Sequence, residues 1–96
     1  MTPNVFIIDL MGGKQATIVA DELQAAGISC DRAYDGRNMR SQMKVANRVE
    51  AAWAVIIGED EFAEGSVTLR DMVGESGQTL VSRDALVAEI KSRLTT

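Results

Sequence analysis

The sequence contains no histidine, one cysteine, one proline and few aromatic residues: one Trp, one Tyr and two Phe among 96 residues. The absence of histidine excludes Ser–His and Cys–His catalysis and removes the commonest metal ligand. Cys30 has no partner within the chain for a disulfide, which favours a reducing compartment, so we expect a cytoplasmic protein. No apolar run approaches the ~20 residues that span a bilayer, so we expect no membrane association.

The composition, with 46% hydrophobic and 25% charged residues, is typical of one folded domain covering 1–96. Continuous apolar runs predict strands buried on both faces at 4–10 and 51–58. Three further strands are predicted, the first of them polar and at or near a sheet edge: 28–34, 66–72 and 78–81.

Apolar residues at helical spacing predict three helices, at 14–26, 39–49 and 83–94. Gly27 is expected to end the first helix, and Asn38 and Ser82 to cap the second and third. Strand–helix alternation over the first 58 residues requires parallel strands with helical crossovers. The polar link 58–65 is expected to be a turn that returns the fourth strand antiparallel. The predicted fold class is therefore α/β, a three-layer α/β/α-like domain with a mixed five-stranded sheet and three helices.

Positive charge is concentrated in one segment of an acidic chain. The net charge is −4, yet 32–48 contains five of the ten basic residues and one acid, Asp35. That segment carries +5 − 1 = +4, so the rest of the chain carries −8. On a helix, Arg37, Arg40, Lys44 and Arg48 share a stripe about 80° wide. Met39 and Met43 fall on the opposite side, and we expect them to face the sheet.

Two interpretations of this cationic stripe remain open. Charged residues commonly occupy the solvated face of a helix, although natural faces usually mix the two signs. A row of one sign instead favours an anion with repeating charge, such as a phosphate backbone. Ser41 and Gln42 add hydrogen-bonding groups beside the stripe, and Tyr34 is a candidate for stacking on a base.

Other patterns carry weaker signals. Residues 10–14 (LMGGK) follow a buried strand but match neither GxxxxGK[ST] nor GxGxxG, so a plain turn is favoured over a phosphate loop. The acidic residues of 59–64 match no calcium loop, and a solvated turn is favoured over a cation site or a catalytic carboxylate pair. Cys30 is interpreted as a half-buried structural thiol, and Trp53 as a packing residue.

Two motifs resemble the C-terminal anticodon-binding domain of histidyl-tRNA synthetase. The first corresponds to the family pattern R-S-[LM]-[KR]-x-Q-M-K-x-A. It is matched by Arg37, Met39, Arg40, Gln42, Met43, Lys44 and Ala46, with Asn38 in place of the usual serine. The second, G-E-x-E-[LF]-x-x-G-x-V-x-[LV]-R-[DN]-[LM], is matched by GEDEFAEGSVTLRDM, residues 58–72. The two motifs occur together at the family's separation.

The resemblance implies a domain that holds the anticodon stem-loop of a histidine-specific tRNA and performs no chemistry. Helix cations would contact phosphates, while Gln42, Glu59 and Glu61 would read bases exposed in the loop. The RNA-binding residues that we predict are Tyr34, Arg37, Arg40, Ser41, Gln42, Lys44, Arg48, Glu59, Glu61 and Arg70.

The same resemblance implies a parent synthetase that activates histidine with ATP, and with Mg²⁺, in a separate catalytic domain preceding Met1. The parent would be a homodimer, and no cofactor is expected on this domain itself. Two alternatives stay open: a synthetase-like regulatory or oligomerisation module, and a small flavodoxin-like domain that binds a phosphate-bearing ligand.

Overall fold

The five strands form one mixed sheet. The computed structural model describes residues 2–33, 38–74 and 76–95. The strands are β1 (Val5–Asp9), β2 (Cys30–Arg32), β3 (Trp53–Ile57), β4 (Ser66–Asp71) and β5 (Gln78–Ser82). The helices are α1 (Lys14–Ala25), α2 (Met39–Arg48), α3 (Glu59–Ala63) and α4 (Leu86–Leu94), with a 3₁₀ turn at Arg83–Ala85 before α4.

The sheet order is β2-β1-β3-β4-β5. β1 pairs in parallel with β2 and β3, because each connection crosses over through a helix. β4 pairs antiparallel with β3, and β5 antiparallel with β4. The predicted parallel and antiparallel arrangement is therefore confirmed, and the polar strand β2 lies at an edge as expected.

Helices cover the two faces of the sheet unequally. Val5 and Ile7 of β1 point to one face, where α1 and α4 bury residues such as Leu23 and Ile90. Phe6 and Ile8, the alternate residues, point to the other face, where α2 packs through Ala46. We call the core beneath α1 and α4 the first core, and the core beneath α2 the second core. Two hydrophobic cores on opposite faces of one sheet make three layers, which confirms the predicted α/β class.

The structure adds a short helix, α3, where a polar turn was expected. Its first turn consists of Glu59, Asp60 and Glu61, whose negative charges interact favourably with a helix N-terminus. Phe62 packs partly against the first core, and Gly65 ends the element with a φ of 78°. Ser82 precedes the final 3₁₀ turn but its side chain makes no capping hydrogen bond, so that predicted cap is wrong. None of the helices that the structure describes is both long and apolar enough to cross a bilayer.

Candidate nucleic-acid interface

α2 is fixed at its start by the residue that the sequence predicts as its cap. The backbone N–H of Ser41 donates to Asn38 Oδ1 at 2.9 Å, and the N–H of Gln42 donates to the Asn38 carbonyl at 3.1 Å. The bond from Ser41 satisfies an amide group that otherwise has no partner in the first turn of a helix, and the bond from Gln42 is the first regular i→i−4 bond of α2. The cap therefore sets where the helix begins and which side chains face outward.

Gln42 and Ala46 form the buried side of α2. Gln42 is only 2% exposed, and its Nε2 donates to the carbonyl oxygen of Asp9 at the end of β1, at 3.3 Å. The prediction that Gln42 lies on the surface beside the cations is therefore wrong, because its amide satisfies a buried backbone acceptor instead. Gln42 ties α2 to the sheet and does not lie where it could read a base.

The two methionines of α2 differ in burial. Met43 is half-buried and packs against the second core, as predicted. Met39 is 36% exposed, so the prediction that it is buried on the sheet is wrong. Met39 lies in the first turn of α2. The most buried side chain of that turn is Gln42, not a methionine.

The cationic stripe lies on the solvent side of α2 as far as the structure describes it. Arg40, Lys44 and Arg48 are all exposed, and Ser41 is half-buried beside them. Tyr34 and Arg37, which belong to the same predicted surface, lie outside the described residues.

A groove of about 480 Å³ runs between this side of α2 and strand β4. Arg70 of β4 lines the other side of the groove. Arg70 pairs with Ala54 of β3, and this register directs the Arg70 side chain to the face on which α2 packs. The α2 residues that line the groove are Met39, Arg40, Met43, Lys44 and Asn47. We refer to this feature as the α2–β4 groove. It combines two methionine side chains with three cations, a combination that suits an unstacked base beside its phosphates.

A second cavity, of about 370 Å³, adjoins the groove at Arg70. It lies over the turn between β4 and β5, and Asp71 organises this turn. The carboxylate of Asp71 accepts backbone N–H groups from Gly74 at 2.7 Å, Val73 at 3.2 Å and Ser76 at 3.3 Å. These bonds, with that from Gly74 the strongest, lower the pKa of Asp71 below its ordinary value.

The structure does not bring all the predicted residues together. Arg40, Lys44 and Arg70 meet in the α2–β4 groove, and Arg48 extends the row beyond it. Glu59 and Glu61 lie on α3, after the carboxyl end of β3, and do not line the groove. Asn47 and Met39 were not predicted to belong to the site. Their spacing from Met43, four residues to each side, is the signal that would have placed them along one edge of the stripe.

The structure disfavours the phosphate-binding and metal-binding interpretations of the sequence. The carboxylate of Asp9 accepts the N–H groups of Met11 at 2.6 Å and Ala16 at 2.9 Å, so it already occupies the N-terminus of α1. This arrangement disfavours both a phosphate at that terminus and Asp9 as a phosphate acceptor. No group of three His, Cys, Asp or Glu side chains in the described ranges is arranged to hold a metal.

Cys30 and Trp53 also have structural roles. Partial burial of Cys30 raises the pKa of its thiol, which disfavours the reactive thiolate. Trp53 packs against the first core, and the Arg93 guanidinium lies 5.0 Å from its ring centroid, within cation–π range. Both observations agree with the packing roles that were inferred from the sequence.

A family model described as "Anticodon binding domain" matches residues 4–93. The chain therefore belongs to the anticodon-binding domain family. Within that family it is similar to the domain carried by histidine–tRNA ligases. It is 43% identical over 79% of its length to the histidine–tRNA ligase of Desulforudis audaxviator, and 47% identical over 76% to that of Streptomyces avermitilis.

The solved structure of apo histidyl-tRNA synthetase from S. aureus superposes on 94% of the chain with a TM-score of 0.84 and 26% identity. The chain spans only about a fifth of these proteins: 18% and 17% of the two ligases and 23% of the solved chain.

Proposed function

We propose that this domain binds the anticodon stem-loop of a histidine-specific tRNA through the α2–β4 groove. The observation that carries the proposal is the convergence of Arg40, Lys44 and Arg70 from two different elements around exposed methionine surface. Phosphates would contact the three cations, and a base turned out of the loop would pack on Met39 and Met43.

The acidic remainder of the chain supports the same assignment. With a net charge of −4 overall, most of the surface repels RNA, whereas the groove attracts it. Attraction confined to one face orients the bound loop as well as holding it.

The domain would act as the tRNA-positioning part of a cytoplasmic histidine–tRNA ligase. The parent protein would be a homodimer whose catalytic domain uses ATP and Mg²⁺. Glu59 and Glu61 remain predicted base readers. Their substitution should change the preference among anticodon loops more than the dependence of binding on salt, because base contacts carry sequence information and phosphate contacts do not.

A titration of a fluorescent anticodon stem-loop RNA at several salt concentrations tests the proposal. About three neutralised phosphates on a single-stranded loop predict a slope of log K against log salt of roughly −2. The double variant R40E/K44E should bind more weakly and flatten that slope, because two attractions become repulsions.

The matched control is K14E/K91E, which reverses two exposed lysines on α1 and α4 and changes the net charge equally. If the control weakened binding as much as R40E/K44E, the attraction would be a property of net charge and the groove would not be the binding site. Absence of RNA binding at low salt would also contradict the proposal.

A further inference from the structure

Strand β5 forms an edge of the sheet, with β4 on one side only. Along an antiparallel pair, successive residues direct their backbone groups alternately toward and away from the partner. The Asp71 N–H donates to the Gly77 carbonyl, and the Arg83 N–H to the Gly65 carbonyl, both at 2.8 Å. By this alternation Thr79 and Val81 bond to β4, whereas Gln78 and Leu80 direct their N–H and C=O groups outward. Ser82 directs its N–H outward, but its carbonyl accepts the first bond of the 3₁₀ turn at Arg83–Ala85.

No described strand lies beyond β5 to bond to these outward groups. The strand also lacks the features by which natural edges avoid pairing, because 76–82 contains no charged residue and no proline. Leu80 lies at its centre and is 65% exposed. The opposite edge differs: β2 has only three residues, and two of them, Asp31 and Arg32, are charged.

We propose that β5 pairs antiparallel with β5 of a second copy of this chain, about a two-fold axis through Leu80. In this register Leu80 faces Leu80 of the second copy, and Gln78 faces Ser82. The Leu80 pair can then exchange two hydrogen bonds, and each Gln78–Ser82 pair can form one, from the outward Ser82 N–H to the Gln78 carbonyl. The result is one sheet continuous through both copies.

Charge and symmetry favour a second copy over an unrelated peptide. Each copy carries −4, but no charged side chains meet along the paired strands, since 78–82 is neutral. The neighbouring Arg83 is held by Glu22 of its own chain at 2.6 Å, so its charge is compensated outside the strand. In an isologous pair the central residue faces its own copy across the two-fold axis. Leu80 can do so because its backbone groups point outward. This inference does not depend on RNA binding.

Sedimentation equilibrium and amide exchange measured by NMR test the pairing. Because edge pairing buries little surface, the measurement should extend to about 1 mM protein. We expect a monomer–dimer equilibrium in which exchange of the Leu80 amide slows as concentration rises. Exchange of the Val81 amide, which bonds within the chain, should not depend on concentration.

The variant L80K places two like charges opposite each other and should weaken dimerisation at least about tenfold. Its matched control is A88K, which adds the same charge on the exposed surface of α4 and should dimerise as the unaltered chain does. L80T keeps a strand-forming residue without the charge and should retain pairing. A monomer at all concentrations, or a dimer that L80K leaves unchanged, would overturn the proposal.

Discussion

Asp9 has a structural role whose size can be worked out from its bonds. Its carboxylate accepts the N–H of Met11 and the N–H of Ala16. In D9A the Met11 amide can bond to water instead, because Met11 is exposed, so its loss costs little. The Ala16 amide is buried and would remain unpaired, which costs about 1–3 kcal/mol. We therefore expect D9A to lower the free energy of unfolding by about 1–3 kcal/mol.

Urea unfolding followed by Trp53 fluorescence measures this change. With an m value of about 1 kcal/mol/M, the midpoint should fall by roughly 1–3 M. D9N keeps one carbonyl oxygen as an acceptor and should lie between D9A and the unaltered chain. The control is D21A, which removes an equal charge from an exposed position on α1. If D9A lowered the midpoint no more than D21A does, the carboxylate would not be fixing the start of α1.

The sheet and its helices could be predicted because each rests on a local signal. The apolar runs of β1 and β3 reflect burial on both faces, and the cap at Asn38 depends on a bond to a residue three positions away. The same locality made the cationic side of α2 predictable, since helical spacing alone brings Arg40 and Lys44 together.

Long-range contacts could not be predicted in the same way. The burial of Gln42 depends on the Asp9 carbonyl, 33 residues away, and a polar residue ordinarily indicates exposure. Arg70 joins the groove only because the β3–β4 register turns it toward α2. The short helix α3 has five residues, too few for an apolar period to be recognised, and its acidic first turn has the composition of a solvated turn.

Two further predictions separate packing from surface charge. M43D should lower the free energy of unfolding by about 1–3 kcal/mol because it places a carboxylate against the second core. R40E should change the free energy of unfolding by less than about 0.5 kcal/mol. Thermal melts that showed the reverse order of destabilisation would contradict the orientation of α2. The last prediction concerns Asp71, whose pKa the turn lowers through backbone N–H groups. Because the folded pKa lies below the unfolded value of about 3.9, this stabilisation is present above that pH and is lost as the pH falls through the folded pKa. The melting temperature of the unaltered chain should therefore exceed that of D71N at pH 6, and the difference should shrink below about pH 4. D21N provides the control for general charge effects at each pH. A difference that stayed constant or grew on acidification would show that the ionised carboxylate does not hold the turn between β4 and β5.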